Sequence, residues 1–181
     1  MSYSIRRFQP EADIKKPFDC GVADLNGFLL ESAGDTPNAT LYEKEFLAVT
    51  YVATDDLTHD LLAYFSILND KIDREFVETR AWNRLSREIP NAKRRSSYPA
   101  LKIGRFAVDG RQHRSGIGKD ILLFIQTWYY KERRSGCRFI TVDALREAEP
   151  FYAKCGFVRL STPREEDETV LMYFDLKRWF H

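Results

Sequence analysis

The most informative stretch of the chain reads Arg105-Phe-Ala-Val-Asp-Gly-Arg-Gln-His-Arg-Ser-Gly116-Ile-Gly118-Lys119. It begins in an apolar strand predicted over 101–108 and passes through a polar loop into a long helix predicted over 116–134. Gly116 and Gly118 carry no side chain, so a ligand can approach the backbone closely. The N–H groups at a helix N-terminus bind phosphate, and the helix dipole adds about half a positive charge there. The stretch therefore predicts a cradle for phosphate or pyrophosphate.

Two common phosphate-binding loops do not fit this stretch. A Walker A loop needs a Gly where His113 lies and a Ser or Thr where Asp120 lies. The dinucleotide fingerprint needs a third Gly where Ile121 lies. A plain strand-to-helix turn capped by Ser115 is the alternative that involves no ligand.

The rest of the sequence predicts an alternation of strands and helices. Strands are predicted over 3–8, 46–53, 61–68, 137–142, 157–160 and 170–176, with 46–53 and 61–68 forming an antiparallel hairpin. Helices are predicted over 22–30, 79–89 and 148–155, and residues 90–98 are predicted to form a loop. This order predicts an α/β or α+β fold in which helices cover a mixed sheet. The length of 181 residues predicts a single domain over 1–181.

The charges of the chain nearly cancel but are unevenly distributed. The sequence has 28 Lys and Arg against 27 Asp and Glu, which gives a net charge of +1. Residues 71–138 contain 17 Lys and Arg against 7 Asp and Glu, so this middle part is basic and the flanks are acidic. The composition excludes a polybasic tail, an acidic disordered chain and a collagen-like polymer. A basic middle attracts phosphate-bearing partners, unless its charges are scattered over solvated helix faces.

The cysteines and the apolar runs bear on the compartment and on metal binding. Cys20, Cys137 and Cys155 are far apart and odd in number, and the three His are equally scattered. Neither pattern has the spacing of metal ligands, so no metal site is expected. The N-terminus lacks the apolar core of a signal peptide, and the apolar runs are far below the roughly 20 residues that a membrane helix needs. We expect a cytoplasmic protein with no membrane role.

Residues 113–118 resemble the acetyl-CoA signature of the GNAT superfamily of N-acetyltransferases, Gln/Arg-x-x-Gly-x-Gly/Ala. Both glycines match, while His113 lies at the Gln/Arg position and Arg114 lies where many relatives have Gly. The resemblance implies a GNAT fold, with a mostly antiparallel twisted sheet of about six or seven strands and flanking helices. It also implies acetyl-CoA as the co-substrate, bound by Phe106, Ala107, Val108, His113, Arg114, Ser115, Gly116, Ile117, Gly118 and Lys119.

A second motif, Glu149-Pro-Phe-Tyr152-Ala-Lys-Cys-Gly156-Phe157, resembles the Phe/Tyr-Tyr-x-x-x-Gly-Phe segment of the same family. The resemblance makes Tyr152 the general acid for the departing CoA thiolate. A phenol with a pKa of about 10 can supply a proton to a thiolate with a pKa of about 8.5 when the two are held close. The alternative is that Tyr152 is a packing aromatic beside Phe151. Together the motifs imply transfer of an acetyl group to a primary amine by direct attack in a ternary complex.

The acceptor amine must be neutral when it attacks. A lysine-like amine has a pKa of about 10.4 and needs a base, whereas an α-amine has a pKa of about 7.7–8.0. Strand residues 98–108 offer Lys102 and Arg105 but no carboxylate, which favours an amine of low pKa on an anionic carrier. Asp70, Asp73 and Glu75 are alternative bases. We assign Arg105 and Asp143 as candidate substrate residues.

Three further segments are similar to the acetyltransferase toxins of toxin–antitoxin pairs. They are Phe18-Asp-Cys20-Gly21, residues 104–109 and Val142-Asp-Ala-Leu145. This resemblance implies, as an alternative function, acetylation of the α-amine of aminoacyl-tRNA and neutralisation by a ribbon-helix-helix antitoxin. Homodimers are common among such enzymes. A third hypothesis is a module that binds acyl-CoA or tRNA without catalysis.

Overall fold

The strands follow the predicted alternation in the computed structural model, which describes residues 2–30, 32–33, 36–132 and 135–179. They are β1 (Tyr3–Arg7), β2 (Ser32–Ala33), β3 (Thr36–Pro37), β4 (Val49–Asp55), β5 (Leu61–Asp73), β6 (Ser97–Val108), β7 (Phe139–Leu145), β8 (Val158–Arg159) and β9 (Thr169–Asp175). One open sheet has the order β1-β4-β5-β6-β7-β9-β8, and β2 pairs separately with β3. The pairs β1–β4, β4–β5, β7–β9 and β9–β8 are antiparallel. The predicted mixed α/β fold with a mostly antiparallel sheet is confirmed.

The helices include three that the sequence pattern does not predict, α1, α3 and α7 in the order below. They are α1 (Pro10–Asp13), α2 (Ala23–Leu30), α3 (Asn38–Lys44), α4 (Thr79–Ser86), α5 (Ile117–Glu132), α6 (Glu149–Lys154) and α7 (Leu176–Trp179). The strand predicted over 46–53 begins instead at Val49, because the preceding residues turn back at the end of α3. The last two residues of the predicted long helix, Arg133 and Arg134, lie outside the described residues.

The chain forms two compact units. The first consists of Met1–Leu68 and Ile103–Ile121, and the second consists of Asn69–Lys102 and Leu122–His181. A single domain over 1–181 stays a prediction.

The core of the first unit is aromatic. The ring of Tyr64 stacks on Phe28 at 6.3 Å and meets the edge of Phe18 at 5.7 Å. Its hydroxyl donates a hydrogen bond of 2.7 Å to the backbone carbonyl of Leu25 in α2, which satisfies the polar end of the ring. Burial raises the pKa of Tyr64 well above its ordinary value. Each such side chain stabilises the unit by roughly 1.5–3 kcal/mol through removal of apolar area from water.

The core of the second unit forms around α4 and the edge of β7. Ala81, Trp82 and Leu85 are the buried residues of α4, and Trp82 stacks on Tyr98 at 4.9 Å. The same cluster contains Phe139, whose ring meets Tyr98 at 5.9 Å. Helical spacing therefore places one apolar face of α4 on this core.

Candidate active site

The loop that follows β6, residues 109–116, is fixed by a buried carboxylate. Asp109 is 2% exposed and accepts hydrogen bonds from the backbone N–H of Arg111 at 2.9 Å and of Asp19 at 3.1 Å. The guanidinium of Arg111 also donates to it, at 2.7 Å. Burial alone would raise the pKa of Asp109, but the hydrogen bonds from Arg111 and Asp19 outweigh it and lower the pKa. Asp109 is therefore ionised, and its hydrogen bonds stabilise the conformation of the loop.

The backbone at the end of this loop has alternating conformations. Arg114 has φ 65° and Gly116 has φ 92°, while Ser115 between them is not among the residues with positive φ. Such alternation turns successive N–H groups toward one side and makes a nest for an anion. Within the described residues, no hydrogen bond engages the N–H groups of Arg114, Gly116, Gly118 or Lys119. Four free donors thus lie at the start of α5, where the dipole favours negative charge.

The side chains of the 109–116 loop have different roles. The Nε2 of His113 donates a hydrogen bond of 3.1 Å to the carbonyl of Val108, so this ring holds the loop against the end of β6. Arg114 and Lys119 are exposed and have no ion pair among the described residues. Both cations are therefore free to contact a bound phosphate.

The strand before the loop is closely packed along part of its length. A Cβ at Gly104 would lie 2.7 Å from Leu68 Cδ2, so the absence of a side chain lets the backbone of β6 approach that leucine. Ala107 is buried in the core of the first unit, and Phe106 and Val108 are half-buried. The predicted CoA-binding residues 106–108 therefore occupy the end of a well-supported strand.

The second motif forms the end of α6. Gly156 has φ 89°, its N–H donates to Ala153, and the N–H of Phe157 donates to Tyr152, each at 3.1 Å. These are the two bonds of a Schellman motif, in which glycine takes the left-handed position. Phe157 packs back on the ring of Tyr152 at 5.5 Å, and Phe151 meets that ring at 5.3 Å. The spacing Tyr-x-x-x-Gly-Phe therefore has a local structural cause.

Tyr152 itself is deeply buried. Its side chain is 5% exposed, and burial raises the pKa of Tyr152 well above the ordinary value for a phenol. The hydroxyl is consequently protonated throughout the neutral pH range. Gln126 of α5 donates a hydrogen bond of 3.1 Å to the carbonyl of Cys155, which holds the end of α6 in position.

Arg105 lies in a cavity of about 500 Å³ in the first unit. Its guanidinium lies over the ring of Phe28 at 5.2 Å, and its Nε is 3.5 Å from the carboxylate of Asp24. That Nε is buried and makes no hydrogen bond among the described residues. Asn38 and Tyr42 of α3 also line the cavity. Sequence reasoning missed both, and the only signal for α3 was the run without Gly or Pro after Pro37.

Comparison with protein families adds independent evidence. Residues 89–177 match the family model described as "Acetyltransferase (GNAT) domain". The chain contains a GNAT acetyltransferase domain. The match includes β6, the 109–116 loop, α5 and α6, so both motifs lie inside it. No curated protein matches the sequence.

Solved structures with the GNAT fold resemble the chain over almost its whole length. A tyrosine-to-phenylalanine mutant of KacT has a TM-score of 0.77 and 21% identity, covering 98% of this chain and 97% of KacT. AtaT complexed with acetyl-methionyl-tRNAfMet has a TM-score of 0.76 and 21% identity, covering 99% and 98%. A structure described only as a bacterial toxin has a TM-score of 0.75 and 15% identity, covering 99% and 93%. At these identities the likeness shows the fold.

The remaining candidate carboxylates lie in the second unit. Asp143 is 43% exposed and forms an ion pair of 2.5 Å with Lys102. Asp70 accepts a hydrogen bond of 2.7 Å from the hydroxyl of Thr141. Asp73 is paired with Lys71 at 2.9 Å. Each of these carboxylates therefore has a hydrogen-bond or ion-pair partner in the second unit.

No group of three or more His, Cys, Asp or Glu in the described residues is arranged to hold a metal ion. None of the helices described is both long enough and apolar enough to cross a membrane.

Proposed function

We propose that the protein transfers the acetyl group of acetyl-CoA to a primary amine by direct attack in a ternary complex. The observation that carries this proposal is the set of four free N–H groups at Arg114, Gly116, Gly118 and Lys119. Three of them lie within the acetyl-CoA signature and the fourth directly follows it, and their nest suits the oxygens of a pyrophosphate. Bound acetyl-CoA supplies an activated thioester. The end of β6 at residues 106–108 is the proposed binding site for the pantetheine arm.

Tyr152 is the proposed general acid. The amine nitrogen forms a bond to the acetyl carbon, the carbon–sulfur bond breaks, and the sulfur takes up a proton from the Tyr152 hydroxyl. Because burial raises the pKa of Tyr152 further above that of a thiol, full transfer of the proton is uphill even to a complete thiolate. The phenol therefore acts first as a hydrogen-bond donor to the developing thiolate and regains its proton from the amine or from solvent.

Acetyl-CoA binding and turnover test this proposal directly. Isothermal titration calorimetry should detect acetyl-CoA binding, and no heat at millimolar ligand would refute the proposal. Tyr152→Phe should lower kcat by about 100-fold or more, while acetyl-CoA affinity changes little. Tyr173→Phe is the matched control, because Tyr173 is 3% exposed and its hydroxyl accepts a hydrogen bond from Arg84. If Tyr152→Phe and Tyr173→Phe have equal turnover, Tyr152 is not the general acid.

The α-amine of aminoacyl-tRNA is the second candidate acceptor. Relatives that include AtaT complexed with acetyl-methionyl-tRNAfMet match the chain almost end to end, which supports this acceptor. The resemblance of the Phe18-Asp-Cys20-Gly21 segment to toxin acetyltransferases supports it too, and this segment contacts the 109–116 loop, since the carbonyl of Asp19 accepts a hydrogen bond of 2.8 Å from Gly110. On this proposal Arg105, whose Nε makes no hydrogen bond among the described residues, contacts the anionic carrier of the amine. A toxin of this kind would have a ribbon-helix-helix antitoxin as its partner.

Expression in bacteria without an antitoxin distinguishes the two acceptors. A tRNA-directed enzyme should arrest growth, and Tyr152→Phe should relieve the arrest. In vitro, a panel of amines that includes charged tRNA should show acetylation of the aminoacyl group. Wild-type protein that turns over a small amine but neither arrests growth nor acetylates charged tRNA would exclude the toxin function and keep the acetyltransferase.

A further inference from the structure

A groove with a volume of about 800 Å³ lies at the C-terminal end of α5 in the second unit. We call it the α5 groove. Its walls are mainly apolar and aromatic and include Tyr98, Tyr129, Tyr130 and Phe139. Its basic lining residues are Arg95, Arg138 and Lys177. Arg95 and Arg138, one from each of the two basic segments of the sequence, therefore line the same groove.

The cations of the α5 groove differ in how they are paired. Arg138 donates two hydrogen bonds to Asp175, and Lys177 is 3.7 Å from Glu88. Arg95 is exposed and has no ion pair among the described residues. The neighbouring segments add more exposed cations without an ion pair in the described part of the chain, namely Arg87, Lys93, Arg94 and Lys131. The acidic groups beside them are Glu88, Glu132 and Asp175, so cations are in clear excess.

The aromatic residues of the α5 groove provide flat surfaces next to these cations. Tyr129 and Tyr130 are consecutive residues in the last turn of α5 and are half-buried. The edge of Tyr129 is supported by Trp128, with ring centroids 5.2 Å apart. Proteins that bind single-stranded nucleic acids combine such aromatic faces, on which bases stack, with cations that follow the phosphates. An acidic peptide would use the cations but would leave the stacking faces without a matching partner.

We propose that the α5 groove binds unpaired nucleotides of an RNA, with Arg95 at a phosphate and Tyr130 against a base. The biological role of this RNA binding rests on the second candidate function, in which tRNA carries the acceptor amine. The groove then holds the carrier and raises the effective concentration of the amine at the transfer site. The proposal concerns binding alone, so it can be tested without any acetyl transfer.

The test is fluorescence anisotropy of uncharged, labelled tRNA at several salt concentrations. Arg95→Ala should weaken binding about threefold or more and should reduce the slope of log Kd against log salt by about 0.7–0.9, the value for one phosphate contact. Tyr130→Leu should weaken binding about fivefold or more through lost stacking, with little change in the slope. Lys15→Ala is the control, since Lys15 is an exposed cation of the first unit. Circular dichroism and thermal unfolding of every variant verify that the fold is intact.

Three outcomes would overturn the proposal. Wild-type protein could bind no tRNA, both groove variants could bind as the Lys15→Ala control does, or poly-glutamate could bind more tightly than tRNA. The experiments distinguish a failure of the RNA-binding proposal from a failure of the acetyltransferase proposal. If the protein acetylates a small amine but does not bind RNA, RNA binding by the α5 groove is refuted and the acetyltransferase function stands. If the protein binds RNA through Arg95 and Tyr130 but acetylates no amine, the acetyltransferase function is refuted and RNA binding by the α5 groove stands.

Discussion

The end of helix α3 predicts a substitution that should stabilise the protein. Leu47 N–H donates to the carbonyl of Tyr42 at 2.8 Å, and Phe46 N–H donates to that of Glu43 at 3.1 Å. These are again the two bonds of a Schellman motif, and Phe46, with φ 57°, occupies the position that is usually glycine. At the end of α6, Gly156 fills the equivalent position. We therefore expect Phe46→Gly to raise the free energy of unfolding.

The size of this gain follows from three contributions. The Phe46 side chain is 96% exposed, so its removal loses almost no buried apolar area. A left-handed conformation costs a residue with a Cβ roughly 1–2 kcal/mol. Replacement by glycine relieves this strain but loses about 0.5–1 kcal/mol of the gain, because glycine makes the unfolded chain more flexible and so stabilises the unfolded state. The net gain should be about 0.5–1 kcal/mol, which corresponds to a rise in Tm of about 1–4 °C for a chain of this length.

Urea and thermal unfolding, followed by circular dichroism, measure this gain. Phe46→Ala is the matched control, because it removes the ring but keeps the Cβ that makes the left-handed conformation costly. Phe46→Gly should be more stable than both the wild type and Phe46→Ala. Equal stability of the two variants would show that the left-handed backbone is not the source of the strain, and the reasoning would be wrong.

The same physical reasoning gives three further predictions. Gly156→Ala should lower the free energy of unfolding by about 0.5–1 kcal/mol in urea melts, since the strain of a Cβ in a left-handed residue exceeds the gain from a less flexible unfolded chain; an unchanged midpoint would contradict this. Gly116→Ala should weaken acetyl-CoA binding in calorimetry, because a Cβ strains the left-handed backbone and hinders close approach of the ligand, although it meets no protein atom within 4 Å; Gly136→Ala is the control, with equal space and no positive φ. Burial would raise the pKa of Asp13, but the hydrogen bonds from Arg6 and Gln9 outweigh it and lower the pKa. Stability from this carboxylate is therefore present above the ordinary pKa of Asp and is lost as the pH falls through the lowered value. Urea melts from pH 7 to pH 3 should show less acid loss in Asp13→Asn than in the wild type, and parallel curves would exclude the effect.

The parts of the fold that were predictable are those with local causes. The strand, loop and helix around Gly116 and the helix end at Gly156 are each determined by residues within a few positions, so the sequence alone places them. Helix α3 was missed because its last turn ends at Phe46 rather than at glycine. The apolar run Phe46-Leu-Ala-Val49 has the composition of a strand, and no local residue marks the helix end.

The candidate site was predictable only in part for a related reason. Family resemblance located Tyr152, but its burial and the resulting rise in its pKa depend on Phe151 and Phe157 folding around it. The cavity at Arg105 depends on α3, which was not predicted. The pairing of Arg138 with Asp175 joins residues 37 positions apart, so the charge count could not show that this cation of the basic middle is neutralised.

The way in which the chain passes between its two units has a consequence for protein engineering. It crosses between Leu68 and Asn69, between Lys102 and Ile103, and between Ile121 and Leu122. These points lie inside β5, β6 and α5, so neither unit is a continuous piece of the gene that could be expressed alone. A split reporter or a circular permutant should instead open at residues 56–60, where Asp55 caps a turn and Leu57 is 88% exposed.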